Sequence, residues 1–304
     1  MRISTNTIYQ SGINRISDLQ SQQSSLQAQI STGKRIASPS DDPVAAARVL
    51  EISDTRAINE SYANVRTTAK SKLETMESSL TNITNLLVAA QSTLVSAGNG
   101  AYSNLERGFV ATELKGSLDA LVGMANTKDA NGNYLYAGFR SDTQPFVANA
   151  SGASYVGDAN LQMLKVDSQR QISVSASGDA VFQAGGNDVF ATLNDIVNLL
   201  NTPITDATTQ AAFSAGLATA ISSMKGSVDN VLNVRADIGA KLNELDSLDL
   251  AGEDRDLQYT KSLSELQDLD YAAALSDLAK QQTIMEAAQK SFVSTTQLSL
   301  FDFI

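Results

Sequence analysis

Apolar side chains recur every three or four residues near the start of the chain. Over 5–35 the series Tyr9, Gly12, Ile16, Leu19, Gln23, Leu26, Ile30 traces a heptad seam with one polar interruption, Gln23. Most other positions are Ser, Gln and Asn, so this helix has a single narrow apolar edge. The pattern stops at "TGKRIASPSDDP", where Gly33, Pro39 and Pro43 punctuate the chain. Ser40 or Asp41 is placed to cap a helix beginning near Pro43, a favourable first-turn residue. Tyr62, Val65, Ala69, Leu73, Met76, Leu80, Ile83, Leu87, Ala90, Leu94 and Ala97 then predict one helix over about 43–97, roughly 80 Å long at 1.5 Å per residue. "SAGNGAYSN" ends it, and Leu105, Phe109, Leu114, Leu118, Leu121 and Ala125 predict a third helix over about 104–127.

The texture then changes. Residues 131–188 are rich in Gly, Asn and Ser with interspersed Tyr and Phe, and "LQMLKVDS" and "QISVSASG" predict short strands bounded by turns. Helical pattern returns in "DVFATLNDIVNLLN" and over about 206–248, up to "DLAGEDRD". The last segment repeats the interrupted seam through Tyr271, Leu275, Leu278, Gln282, Met285, Gln289, Phe292 and Phe303, with Leu300 and Phe301 off the seam and free for adjacent subunits.

Matching seams at the two ends predict that they pair antiparallel. The expected fold is mainly α: a long antiparallel helical bundle or coiled-coil rod formed by the N- and C-terminal segments, with a small β-rich central domain inserted. The expected divisions are 1–42 with 262–304 as the coiled-coil segments, 43–130 and 189–261 as the halves of a helical rod, and 131–188 as a β-rich surface domain.

Two narrow seams do not hold such a pair on their own. Ordering a backbone residue costs roughly 1–2 kcal/mol, a buried large apolar side chain returns roughly 1.5–3 kcal/mol, and a helix hydrogen bond adds about 1 kcal/mol net. Neighbouring copies must therefore bury further faces, including the apolar tail "LSLFDFI". The seam glutamines Gln23, Gln282 and Gln289 read as solvated interruptions or as cross-helix hydrogen bonds that fix register; the second is favoured, because unbroken Leu seams aggregate.

Composition narrows the chemistry. A net charge of -11 argues against a nucleic-acid partner, since phosphate binding needs clustered Lys and Arg. With no Cys and no His there is no disulfide, no Cys/His zinc site and no Ser-His-Asp triad. No window has the apolar length of a membrane span, and "MRISTNTIYQSGINRIS" has no signal-peptide core, so the usual rules place the chain in the cytosol. "DANGNY" offers Asp129, Asn131 and Asn133 at the first calcium-loop positions, but Tyr134 and Arg140 stand where Gly and Glu are needed. "GASYVGD" has P-loop glycine spacing, but Asp158 replaces the Lys. The pairs Asp41 with Asp42 and Asp268 with Asp270 lie beside predicted helix starts, where capping explains them better than catalysis. The expectation is a non-enzyme with no cofactor and no metal.

"QISTGKRIASPSDDPVAAARVLEI" resembles the flagellin superfamily, whose members carry a polar coiled-coil helix, a Gly-Lys/Arg-Ile turn, an Asp-Asp pair and an Ala-rich helix start in that order. "SELQDLDYAAALSDLAKQQTIMEAAQKSF" is similar to the other end of that superfamily, with its Asp-x-Asp-Tyr entry, and "NGNYLYAGFR" to its entry into the central domain. The opening "MRIST", the helix start "SDDPVAAARVL" and the ending "SLFDFI" align the chain with the hook–filament junction branch. A short flagellin is the alternative, and a generic helical binding module stands behind both. The resemblance implies unfolded export through the flagellar type III channel, which replaces a cytosolic location by a flagellar, extracellular one after synthesis. It also implies a flagellar export chaperone on the C-terminal region, a ring or tube of identical copies, contacts with hook-associated protein 1 and flagellin, and a β module that projects outward.

Overall fold

A computed structural model describes residues 5–297 of the chain. The elements run α1 (Thr5–Thr32), α2 (Pro43–Ala97), α3 (Asn104–Ala125), β1 (Phe146–Asn149), β2 (Gly152–Tyr155), β3 (Met163–Asp167), β4 (Arg170–Ser173), α4 (Gly178–Phe182), α5 (Val189–Asn201), α6 (Ala207–Gln267) and α7 (Tyr271–Gln297). They group into two compact units, Met1–Asn59 with Glu253–Ile304, and Glu60–Gly252. The helices α2 and α6 contribute to both units.

In the second unit α2, α3, α5 and α6 surround one apolar core. The heptad positions Leu73, Met76, Leu80, Ile83, Leu87 and Leu94 of α2 are all buried in it, as the periodicity predicts. Ser103 starts α3 with a capping box: the Glu106 amide donates to its hydroxyl at 3.2 Å, and its own amide donates to the Glu106 carboxylate at 2.7 Å.

The β-rich segment consists of two antiparallel hairpins, with Phe146 opposite Tyr155 in one and Met163 opposite Ser173 in the other. It is anchored on the helices by its aromatic side chains. Phe146 is fully buried, with ring centroids of Phe182 at 5.2 Å and of Phe190, on α5, at 4.8 Å. The Tyr136 hydroxyl donates to Ser79 on α2 at 2.8 Å, and burial pushes its phenol above the ordinary value. Two-stranded hairpins are too small to bury their own aromatics, so they borrow the helices' core.

The sequence pattern also misplaces one boundary. A helix end is expected near "DLAGEDRD", yet α6 continues to Gln267. Gly252 is no breaker: a Cβ there would sit 2.5 Å from Arg66 Nη2, so the glycine makes room for a guanidinium. Arg66 is 1% exposed, ion-pairs with Asp249 of α6, and donates from Nη1 to the Val166 carbonyl of β3 at 3.2 Å. Further pairs lace α2 to α6, Lys70 with Asp246 at 2.7 Å and Glu77 with Arg235 at 2.6 Å.

Three other carboxylates set an acid limit. Hydrogen bonds from Ser103, Thr209 and Arg170 hold Glu106, Asp206 and Glu244 below ordinary carboxylate values of 4.5, 3.8 and 4.5. A group whose folded pKa is depressed stabilises the fold above its unfolded pKa and loses that contribution as pH falls through the folded value. Melting temperature is therefore expected to be flat with respect to these groups near neutrality and to fall below about pH 4.5. Thermal denaturation monitored by circular dichroism between neutral and acid pH checks this.

Candidate functional site

In the first unit α1 packs along α7, and the two run antiparallel. At one end Phe292 lies over Gly12, where a Cβ would meet its ring at 2.5 Å, and stacks on Tyr9 with centroids 5.2 Å apart. At the other end Gly33, with φ of 70°, lies against Tyr271, whose hydroxyl would meet a Cβ at 2.8 Å. Facing residue numbers add to the same total at both ends, so the register between them follows. Ile16 shares a level with Ala288, Leu19 with Met285, Gln23 with Gln281, Leu26 with Leu278, and Ile30 with Ala274. Large faces small at both ends of this ladder, and comparable residues meet in the middle.

The expected seam of α1 (Ile16, Leu19, Gln23, Leu26, Ile30) is its least exposed stripe. On α7 the expectation needs correction. Leu278, Met285 and Phe292 do turn inward, but Leu275, Gln282 and Gln289 are exposed, as is much of Tyr271. Ala274, Gln281 and Ala288 take the intervening inward positions. At 3.6 residues per turn the two stripes lie about a quarter turn apart. Apolar size drew the expected seam onto Leu275, whereas the bulk of Ile16 and Ile30 calls for alanine on the partner. Phe303 of the expected seam, and Leu300 and Phe301 beside it, lie outside the described residues.

Gln23 thus has a glutamine at its level, but it is Gln281. Gln281 Oε1 is buried and accepts no hydrogen bond from the described residues. The length of the seam is otherwise lightly sealed: on α7 only Ala274 and Met285 are buried outright among the described residues, and no described residue of α1 is. Ile13, Leu50, Ile58, Leu257, Leu275 and Val293 of the same unit are exposed.

The four expected caps divide. Asp42 accepts the Ala45 amide at 3.0 Å and caps α2 ahead of Pro43. Asp270 accepts the Ala272 and Ala273 amides at 2.9 and 3.1 Å and caps α7. Asp41 instead accepts the Ala37 and Ser38 amides at 3.1 and 2.8 Å, closing the turn before α2. Asp268 caps no helix start; its amide donates to the Ser264 carbonyl at 2.9 Å and its carboxylate accepts from the Ser264 hydroxyl, at the end of α6. Asp41 lies one residue and Asp268 two residues ahead of the capping position, since the residue directly before the first helical turn does the capping.

The two interruptions are tied together, which the sequence pattern did not suggest. The Arg35 amide donates to the Gln267 carbonyl at 2.6 Å, its guanidinium donates to the Leu266 carbonyl at 3.0 Å, and the Leu269 amide donates to the Gly33 carbonyl at 3.0 Å. In the second unit Asp129 Oδ1 accepts the Asn131 and Asn133 amides at 2.8 and 2.9 Å, so this carboxylate closes a turn. No group of three or more His, Cys, Asp or Glu able to hold a metal occurs among the described residues.

A thin antiparallel seam between α1 and α7, with apolar residues beside it uncovered, is a geometry suited to association. Residues 3–141 match the family model of the bacterial flagellin N-terminal helical region. The chain is 36% identical to Flagellar hook-associated protein 3 of Escherichia coli (strain K12) over 315 aligned positions, covering 99% of each. It is 35% identical to the protein of that name from Salmonella typhimurium, again over 99% of each. The crystal structure of flagellar hook-associated protein 3 from Legionella pneumophila superposes with a TM-score of 0.68 at 21% identity, covering 72% of this chain and 98% of that one. A flagellar junction protein from Legionella pneumophila gives 0.64 at 21% identity, with 73% and 100% covered, which supports the fold. The chain belongs to the flagellar hook-associated protein 3 family.

Proposed function

We propose that this protein is a structural subunit of the bacterial flagellum that joins hook to filament. Full-length similarity at 36% identity to a protein named for the hook carries the proposal. The first unit supplies its mechanism. Its helices α1 and α7 are mostly polar, share a thin seam and expose apolar residues on other faces, so they gain most of their stability once neighbouring copies cover those faces. The chain crosses the cell envelope unfolded through the flagellar type III channel, with an export chaperone on its C-terminal region before release. Outside, copies associate through the terminal helices, resting on hook-associated protein 1 and seating flagellin. The role is architectural, with no chemistry to catalyse.

Immunogold labelling of intact flagella tests this. Label confined to one short zone at the hook end is expected. Label along the whole filament would make the chain a short flagellin, and an absence of label from flagella would overturn the proposal.

The energetics give a second test. Limited proteolysis of dilute protein is expected to trim α1 and α7 first and to leave a resistant fragment containing Glu60–Gly252. Equal resistance of the terminal helices and the second unit would show that the pair is stable without neighbours.

A further inference from the structure

Helix α3 carries an outward face that nothing inside the chain explains. Leu105 and Phe109 are 69% and 65% exposed there. Gly108, Gly116 and Gly123 lie along the same side, and a Cβ at any of them would meet nothing within 4 Å. Each glycine weakens a helix relative to alanine, and here the loss is matched by no internal contact. A reason outside the chain is the close approach of another backbone, with Leu105 and Phe109 as its knobs.

The same unit presents a counterpart. Contacts run round the bundle in the order α2, α3, α5, α6: Thr93 donates to Glu113, α3 packs on α5, Gly216 lies against Leu199, and Asp246 pairs with Lys70. The outward faces of α3 and α6 therefore point to opposite sides. That of α6 is made of Ala211, Ala215, Ala218, Ser222 and Lys225, all exposed. Both helices run antiparallel to α2 and so parallel to each other. Arg107 stacks on Phe213, 4.8 Å from its ring centroid, so α3 residues share a height with α6 residues about 106 further along. A neighbour at equal height would set Leu105 and Phe109 against Ala211 and Ala215, and Asp119 against Lys225.

We infer that α3 of one copy packs against α6 of the next copy of this chain, head to tail. The inference rests on the proposed assembly role. Opposite, non-identical faces form a heterologous contact, the kind that builds a ring or a helical tube. Large side chains on one face meet alanine on the other, and Lys225 adds a second cation to Asp119, whose carboxylate already takes Lys115 at 2.9 Å within its own helix.

The chain has no cysteine, so engineered thiols report without background. Gly116→Cys is combined in turn with Ala215→Cys, Ala218→Cys and Ser222→Cys, and isolated flagella are oxidised. A ladder of cross-linked copies is expected from at least one pair and from no single variant. Adding Phe109→Glu should cut that ladder about tenfold or more, since a large apolar contact is lost, while the purified protein melts unchanged. Protein present on flagella with no ladder from any pair, or an undiminished ladder with Phe109→Glu, would overturn the contact and leave the junction role intact. A dimer from Gly116→Cys alone would mean that α3 meets α3. Protein absent from flagella would overturn the junction role and this contact together.

Discussion

Asp249→Ala should destabilise the second unit by about 3 kcal/mol, the lower end of what removing one partner from a buried ion pair costs. The lower end is chosen because Asp249 is 34% exposed and its carboxylate is partly solvated, whereas Arg66 is 1% exposed. Without Asp249 the buried guanidinium is left with the Val166 carbonyl. The double variant Arg66→Met with Asp249→Leu should recover much of the loss, since it removes both charges and their desolvation together. Gly252→Ala should act in the same direction as Asp249→Ala, because its Cβ would displace the Nη2 end of Arg66. Urea denaturation of the four proteins gives the comparison. A wild-type midpoint in Asp249→Ala would mean that Arg66 is solvated after all.

This cluster also shows where sequence stops being legible. The bounds of α2 can be read from Pro43 and from the glycines after Ala97, because those residues act locally on the backbone. Gly252 is the same residue type in a continuous helix, and its role depends on an arginine far away in sequence. A local reading takes it for a break. The hairpin β1–β2 is hidden for a related reason: its strands are four residues each and alternate weakly, so their pairing depends on Phe146 reaching the core formed with α5.

The paired ends were half legible. Spacing alone identified α1, α7 and their antiparallel arrangement, because a seven-residue repeat survives any polar decoration. It did not identify which of two adjacent stripes on α7 faces α1. That choice is made by size matching across the pair, Ile16 with Ala288 and Ile30 with Ala274, and alanine contributes little to an apolar pattern read along one helix. The displaced stripe of Leu275, Gln282 and Gln289 is then exposed in the described chain, which suits it to covering by neighbours.

Met285→Asp should abolish assembly while leaving the second unit's melting transition where it is. Met285 is the large buried side chain of the α7 seam, level with Leu19. Truncating a buried Met costs roughly 2–5 kcal/mol, and placing a carboxylate there adds its desolvation. A seam with one principal buried side chain cannot absorb that loss, whereas the core between α2, α3, α5 and α6 does not contain Met285. Every assembled copy repeats the contact, so each carries the same defect. Cells making only this variant are expected to secrete it, together with flagellin, into the medium, and to show bare hooks by electron microscopy. The control is Gln282→Asp, one turn away on the exposed stripe, which leaves the α1 contact intact and so separates the intramolecular seam from faces met by neighbours. Normal filaments with Met285→Asp would show that the pairing of α1 with α7 is not what holds the subunit in place. Lost filaments with Gln282→Asp alone would shift the decisive contact to the outer stripe.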